Sequence, residues 1–210
     1  MVDSHHKSKI SLMEAAFSVV RTKGYSATRV EDICAAAGVT KGSFFHHFES
    51  KEDLAVAAAA RWDEVSRRRF EQAPYKALTD PLERILGYID FRKALIQGEP
   101  REFSCFAGTM VQEVFDTHPA IRDACRSTIF GHVETLERDI AAAMRQDARQ
   151  FDWTAESLAL HMQGVCQGAF ILAKAEHGTD AALACLDHLR RYVELLFADR
   201  VHSAKGRRRR

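Results

Sequence analysis

Apolar residues recur at helical spacing along almost the whole of this 210-residue chain, and no stretch alternates as a half-buried strand would. An all-α fold of about nine helices is therefore expected. The four prolines, Pro74, Pro81, Pro100 and Pro119, each fall where the apolar pattern pauses, so they punctuate helices and do not interrupt them. A first helix is expected over roughly 7–23, with Met13, Ala16, Phe17 and Val20 on one face and Gly24 as its C-terminal cap. Thr28 and Glu31 have the spacing of a capping box, and Val30, Ile33, Cys34 and Ala37 make an i, i+3, i+4, i+7 stripe that Gly38 ends. Thr40 is placed to cap a short third helix, and Ser50 with Asp53 to open a long fourth one running to Phe70. Asp80 before Pro81 is the cap-then-proline order of a new start. Further helices are expected over 81–97, 103–115, 119–149, 154–176 and 180–197.

Composition removes several classes of protein. With 46% hydrophobic and 28% charged residues, no apolar run reaches the ~18 residues of a membrane span. The first ten residues are polar, so a soluble cytoplasmic chain with no membrane partner is expected. Five cysteines, without C-x-x-C spacing, fit free thiols better than a disulfide framework or a zinc site. The adjacent His46 and His47 point about 100° apart on a helix, and no carboxylate or cysteine nearby completes a ligand set. Neither a metal nor a cofactor is expected. Lys205 and Arg207 to Arg210 carry five of the positive charges of a chain whose net charge is only +1, so the basic tail, 199–210, is a local feature, read as a disordered end with a DNA-gripping arm as the alternative. The chain has no G-x-x-x-x-G-K-[ST] loop, G-x-S-x-G elbow or H-E-x-x-H motif, and an enzyme is not expected.

The stretch "TKGSFFHHFESKEDL", Thr40 to Leu54, packs three phenylalanines, two histidines and several charges into fifteen residues. It follows a striped helix and a glycine break. Stripe, glycine and short second helix within about twenty residues are the plan of a helix-turn-helix, whose second helix enters the DNA major groove. Phe44 and Phe48, four apart, would then face the core, leaving Lys41, Ser43, Phe45 and His46 outward. A three-helix head over 1–50 and a larger helical body over 51–198 follow.

From Tyr25 to Leu54, "YSATRVEDICAAAGVTKGSFFHHFESKEDL" closely resembles the DNA-binding signature of the TetR (tetracycline-repressor) family of bacterial regulators. The resemblance implies a homodimer that binds a double-stranded palindromic operator, usually as a repressor, and releases it when a small-molecule effector occupies the body. Carried onto this sequence, it places Thr28 and Arg29 at the DNA backbone at the start of the second helix, and Thr40, Lys41, Ser43, Phe45 and His46 on the recognition helix. Gly42 would allow close backbone approach to DNA, and Lys51 would meet a phosphate at the start of the fourth helix. The family usually has tyrosine where this chain has Phe45, so the phosphate bond of that hydroxyl must be absent or replaced by His46 or His47. A helical ligand-binding or interaction protein with a degenerate head is the alternative, and Phe45 is its only support.

In the body, Leu158, Met162, Val165, Ala169 and Leu172 form one stripe, and His161, Gly164, Gly168 and Ile171 a second beside it. Ala182, Leu186, Leu189, Val193 and Leu196 stripe the last helix. The resemblance implies that these two helices meet their dimer mates, giving Leu158, His161, Met162, Gly164, Val165, Gly168, Leu172, Leu186, Leu189 and Val193 as the expected interface. "FSCFAGTM" is similar to the "GCLxGN" stretch of relatives that answer reactive or unsaturated molecules, with Cys105 at the cysteine and Ser104 and Thr109 replacing the usual glycine and asparagine. Cys105 is a candidate sensor, and Lys174 would raise its thiolate fraction if the two approach. Phe91, Phe106, Met110 and Phe170, with Phe70 and Trp62, are candidates to line an apolar effector pocket, to which Glu113, Gln163 or His161 would add polar groups.

Overall fold

A computed structural model describes residues 2–147 and 149–198. The described residues form ten α-helices, one 3-10 turn and no strand. The helices are α1 (Val2–Lys23), α2 (Val30–Ala37), α3 (Lys41–His47), α4 (Lys51–Glu71), α5 (Pro81–Ala94), α6 (Pro100–Phe103), α7 (Phe106–Val114), α8 (Pro119–Arg145), α9 (Ala155–Glu176) and α10 (Asp180–Leu196), with the turn at Pro74–Ala77. The basic tail lies outside the described residues.

Capping chemistry sets most of these bounds. Thr40 accepts the Ser43 N–H at 3.2 Å and starts α3. Ser50 accepts the Asp53 N–H at 3.0 Å at the start of α4, while Asp53 accepts the Glu49 N–H. Asp80 accepts the Leu82 N–H at 2.7 Å ahead of Pro81, and Thr154 and Ser157 cap one another reciprocally before α9. Gly38, at φ 66°, closes α2 in the left-handed region that suits glycine. Two expectations shift. The N-cap of α2 is Arg29, not Thr28, and Arg29 donates its N–H to Asp32 at 2.7 Å, because the Thr28 hydroxyl is buried and donates to the Gly24 carbonyl at 2.6 Å. The helix expected over 103–115 is two: α6 ends at Phe103, and Cys105 becomes the N-cap of α7, its Sγ accepting the Gly108 N–H at 3.3 Å.

Packing groups the described residues into two units, one of residues 2–70 with 104–132 and one of 71–103 with 133–198. In the first, α1 packs on α2, α3 and α7. Leu12, Phe17, Ile33, Phe44, Leu54, Phe106, Met110, Ile121 and Cys125 belong to one continuous core. The head therefore shares its interior with α7 and the start of α8. Phe106 meets Phe17 at 5.1 Å and Trp62 at 5.9 Å between ring centroids, and Ala59 lets α8 come near enough for Thr128 to donate to its carbonyl at 3.4 Å. In the second unit α10 lies on α9 and α5, and α6 on α9. Asp139 there accepts from Lys76 and Arg84 at 3.1 and 2.8 Å.

Candidate nucleic-acid interface

Helix α3 has two chemically distinct faces. Phe44 has no exposed surface and Phe48 almost none, while Phe45 between them is 59% exposed. Lys41, Gly42 and His46 are exposed with it, and Ser43 is half-buried. The buried pair is what fixes the orientation of the helix, so the exposed set is presented by rigid packing. Lys41 pairs with Glu31 of α2, an exposed ion pair of the kind that contributes little to stability and is readily exchanged for a phosphate. A Cβ at Gly42 would meet nothing closer than Thr40 Oγ1 at 3.7 Å, so the fold itself does not demand glycine there.

His47 turns inward instead, its Nε2 lying 2.7 Å from Ser8 Oγ of α1. That contact makes it a packing residue and leaves His46 as the exposed imidazole. Arg29 is exposed at the start of α2 as expected, but Thr28 is buried and its hydroxyl is committed to Gly24, which corrects its expected role at the DNA backbone.

Lys51 is engaged within the chain as well. Its ammonium donates to the carbonyls of Tyr25 and Thr28 at 3.1 and 3.0 Å and sits 4.2 Å from the centroid of the Tyr25 ring. Burial holds its pKa below the ordinary lysine range, and the Glu113 carboxylate works against that shift. The Tyr25 phenol is pushed up to about 12, first by burial and then by the charge of Glu52. The turn between α1 and α2 is thus where Lys51 spends its charge.

Glu113, one of three candidates for the polar group of a pocket, is engaged at the same turn. Its carboxylate accepts the N–H groups of Tyr25 and Ser26, each at 3.0 Å, and so belongs to this turn and not to a pocket. Gly24, at φ 83°, is required twice over, because a Cβ there would be strained and would overlap Glu113 Oε1. No local spacing signals a contact between residues this far apart in sequence.

The remaining candidates divide between the units. Cys105 and the fully buried Phe106 and Met110 belong to the first, and Phe91, Phe170 and Lys174 to the second. Lys174 is exposed. Phe70 stacks on His132 at 4.7 Å, Phe91 on Tyr75 at 5.9 Å and Phe170 on Phe103 at 6.1 Å. Burial pushes the Cys125 thiol up to about 12, with the nearby Cys105 adding to it. Gln163 is buried, and its Oε1 has no hydrogen-bond partner.

Of the residues expected at a dimer face, Leu158, Met162, Leu186, Leu189 and Val193 are buried within the second unit, and Val165 is half-buried. Their side chains are used where α9 and α10 pack on their own chain. The open faces carry Leu160, His161, Gly164, Ile171 and Leu172 on α9 and Tyr192 and Leu195 on α10, with Gly168 partly covered. The His161 and Tyr192 rings lie 5.1 Å apart and join the two faces. Among the described residues no group of three or more His, Cys, Asp or Glu is placed to hold a metal ion, and no helix is long and apolar enough to cross a membrane.

Residues 12–58 match the family model for bacterial regulatory proteins of the tetR family, and residues 81–189 match the tetracyclin repressor-like C-terminal domain. The chain is similar to the transcriptional regulator AcuR of Cereibacter sphaeroides, 30% identical over 65% of this chain and 60% of that protein. It is also similar to the HTH-type transcriptional repressor DhaR of a Mycobacterium species, 25% identical over 80% and 83%. A TetR transcriptional regulator from Chloroflexus aurantiacus superposes with a TM-score of 0.80 at 26% identity, over 91% of this chain and 96% of that one.

Proposed function

The chain belongs to the tetR family of bacterial regulatory proteins and is a DNA-binding transcriptional regulator, and from that premise we propose that it is a homodimeric repressor that releases a palindromic operator when a small molecule binds. The observation that carries this reading is the two-faced α3. Lys41, Phe45 and His46 stand exposed around a helix anchored by Phe44 and Phe48, within a head whose family match covers α2, α3 and the second half of α1. A degenerate head is not favoured. Phe45 offers a flat apolar surface to sugar or thymine methyl groups, and His46 takes the phosphate contact that a tyrosine hydroxyl would make.

The dimer is supported by the open apolar faces of α9 and α10. Leu195 is 73% exposed, and Ile171, Leu172 and Tyr192 nearly half, on faces where Gly164 and Gly168 have open space above them. Exposed apolar surface of this kind is what a symmetric helix-pair interface covers. The repressor is cytoplasmic, and the effector is a small, largely apolar molecule.

Selection from random DNA followed by footprinting tests the reading, with Gly42→Ala beside the wild type. The wild type is expected to enrich a palindrome with half-sites one or two helical turns apart. Gly42→Ala should hold or raise thermal stability, since alanine favours a helix over glycine by roughly 1 kcal/mol, yet bind the enriched site at least about tenfold more weakly because a methyl enters the closest approach to DNA. No enriched sequence from the wild type would refute the regulator.

A further inference from the structure

The turn between α1 and α2 is gripped from two sides by charges of opposite sign. Glu113, in the last turn of α7, accepts the N–H groups of Tyr25 and Ser26, and Lys51, at the start of α4, donates to the carbonyls of Tyr25 and Thr28. The Tyr25 residue is therefore held through both its N–H and its C=O by two different helices. His118, just beyond α7, adds an edge contact to the Tyr25 ring at 5.4 Å. Gly24 supplies the space the carboxylate needs.

We propose that Glu113 is a positioning residue for DNA binding, through which α7 sets the placement of α2 and α3. The inference rests on the regulator reading and deepens it. Helix α2 starts at Val30, two residues past Thr28, and α3 packs on α2 and α1, so a displaced turn carries the reading surface with it. The two bonds are made to a charged acceptor, and bonds of that kind exceed the ordinary neutral hydrogen bond in strength. Lys51 alone leaves the Tyr25 and Ser26 N–H groups without a protein acceptor and cannot stand in for Glu113. Any event that rotates or unwinds α7 would release these donors, giving the head a route of control separate from α4. A coupling of this type changes affinity by roughly 5- to 150-fold.

The test compares wild type, Glu113→Ala, Glu113→Gln and the control Gln112→Ala at 25 °C. Three properties are read: affinity for the selected operator, hydrogen exchange at the Tyr25 and Ser26 amides, and thermal unfolding. Glu113→Ala is expected to speed exchange at those two amides and to weaken operator binding by about tenfold or more, at a temperature where the dimer is still fully folded. Glu113→Gln, which keeps one acceptor oxygen, should fall between, and Gln112→Ala should match wild type. A glutamate that merely stabilised the fold would lower the unfolding temperature without changing affinity below it. Operator affinity within twofold of wild type in both Glu113 variants, or unchanged exchange at the two amides, would overturn the proposal while leaving the regulator intact. Failure of the wild type itself to bind would overturn both.

Discussion

Phe44→Ala is expected to destabilise the protein by about 3–5 kcal/mol, the usual cost of truncating a fully buried phenylalanine. Phe44 has no exposed surface and meets Phe48 at 5.8 Å and Phe45 at 5.1 Å between ring centroids. It joins a core that also contains residues of α1, α2, α4, α7 and α8, so the cavity cannot be relieved by moving one short helix. Against a typical total of about 5–15 kcal/mol, the loss leaves the first unit marginal. Urea unfolding followed by circular dichroism should show the midpoint fall, with operator binding lost in parallel. Phe45→Ala, one residue on, should leave the midpoint nearly unchanged and still weaken DNA binding, because its ring is exposed. A large stability loss for Phe45→Ala would mean that the two faces of α3 are wrongly assigned.

Lys51→Ala should lower stability by about 1–3 kcal/mol, the usual range for leaving buried hydrogen-bond partners unsatisfied. The Thr28 carbonyl loses its ammonium, the Tyr25 carbonyl keeps only the Thr28 N–H at 3.1 Å, and the Tyr25 ring loses a cation 4.2 Å from its centroid. Relief of the desolvation that holds the lysine pKa down offsets part of this. Family resemblance alone assigns Lys51 to a phosphate, and that assignment makes a different forecast: a decrease of about two per dimer in the salt slope of DNA binding, one for each head, with stability unaffected. Chemical denaturation of Lys51→Ala together with its salt slope separates the two, and an unchanged midpoint with a reduced slope would restore the phosphate role.

Local rules read much of this chain because local chemistry decided it. Thr40, Gly38 and Asp80 cap as their types and spacings predict, and the four-residue spacing of Phe44 and Phe48 fixed which face of α3 is buried. The break at Ser104 and Cys105 was not legible, since apolar spacing continues across it and the cap is a thiol, a rare acceptor at that position. Periodicity found two apolar stripes on α9 but could not say which one its own chain covers, and Leu158 and Met162 of the first proved to be inside while His161 and Ile171 of the second stayed outside, with Leu172 at the end of the first outside as well. The intrachain contacts of Lys51 and Glu113 were not legible, for a common reason. Their partners are the backbone groups of a turn 23 to 88 residues away, and neither composition nor spacing encodes such contacts.

The salt dependence of binding to the selected operator decides whether the exposed face of α3 is the surface that meets DNA. With the exposed face of α3 and its flanks neutralising several phosphates in each half-site, log affinity should fall linearly with log salt, at a slope of about −0.9 for each phosphate contacted. The bound species should contain two chains, and Lys41→Ala should weaken binding and reduce the slope by about two per dimer, one for each head. Affinity that is flat across the salt series, or a Lys41→Ala protein that binds as wild type does, would contradict the assignment of this face as the one that meets DNA.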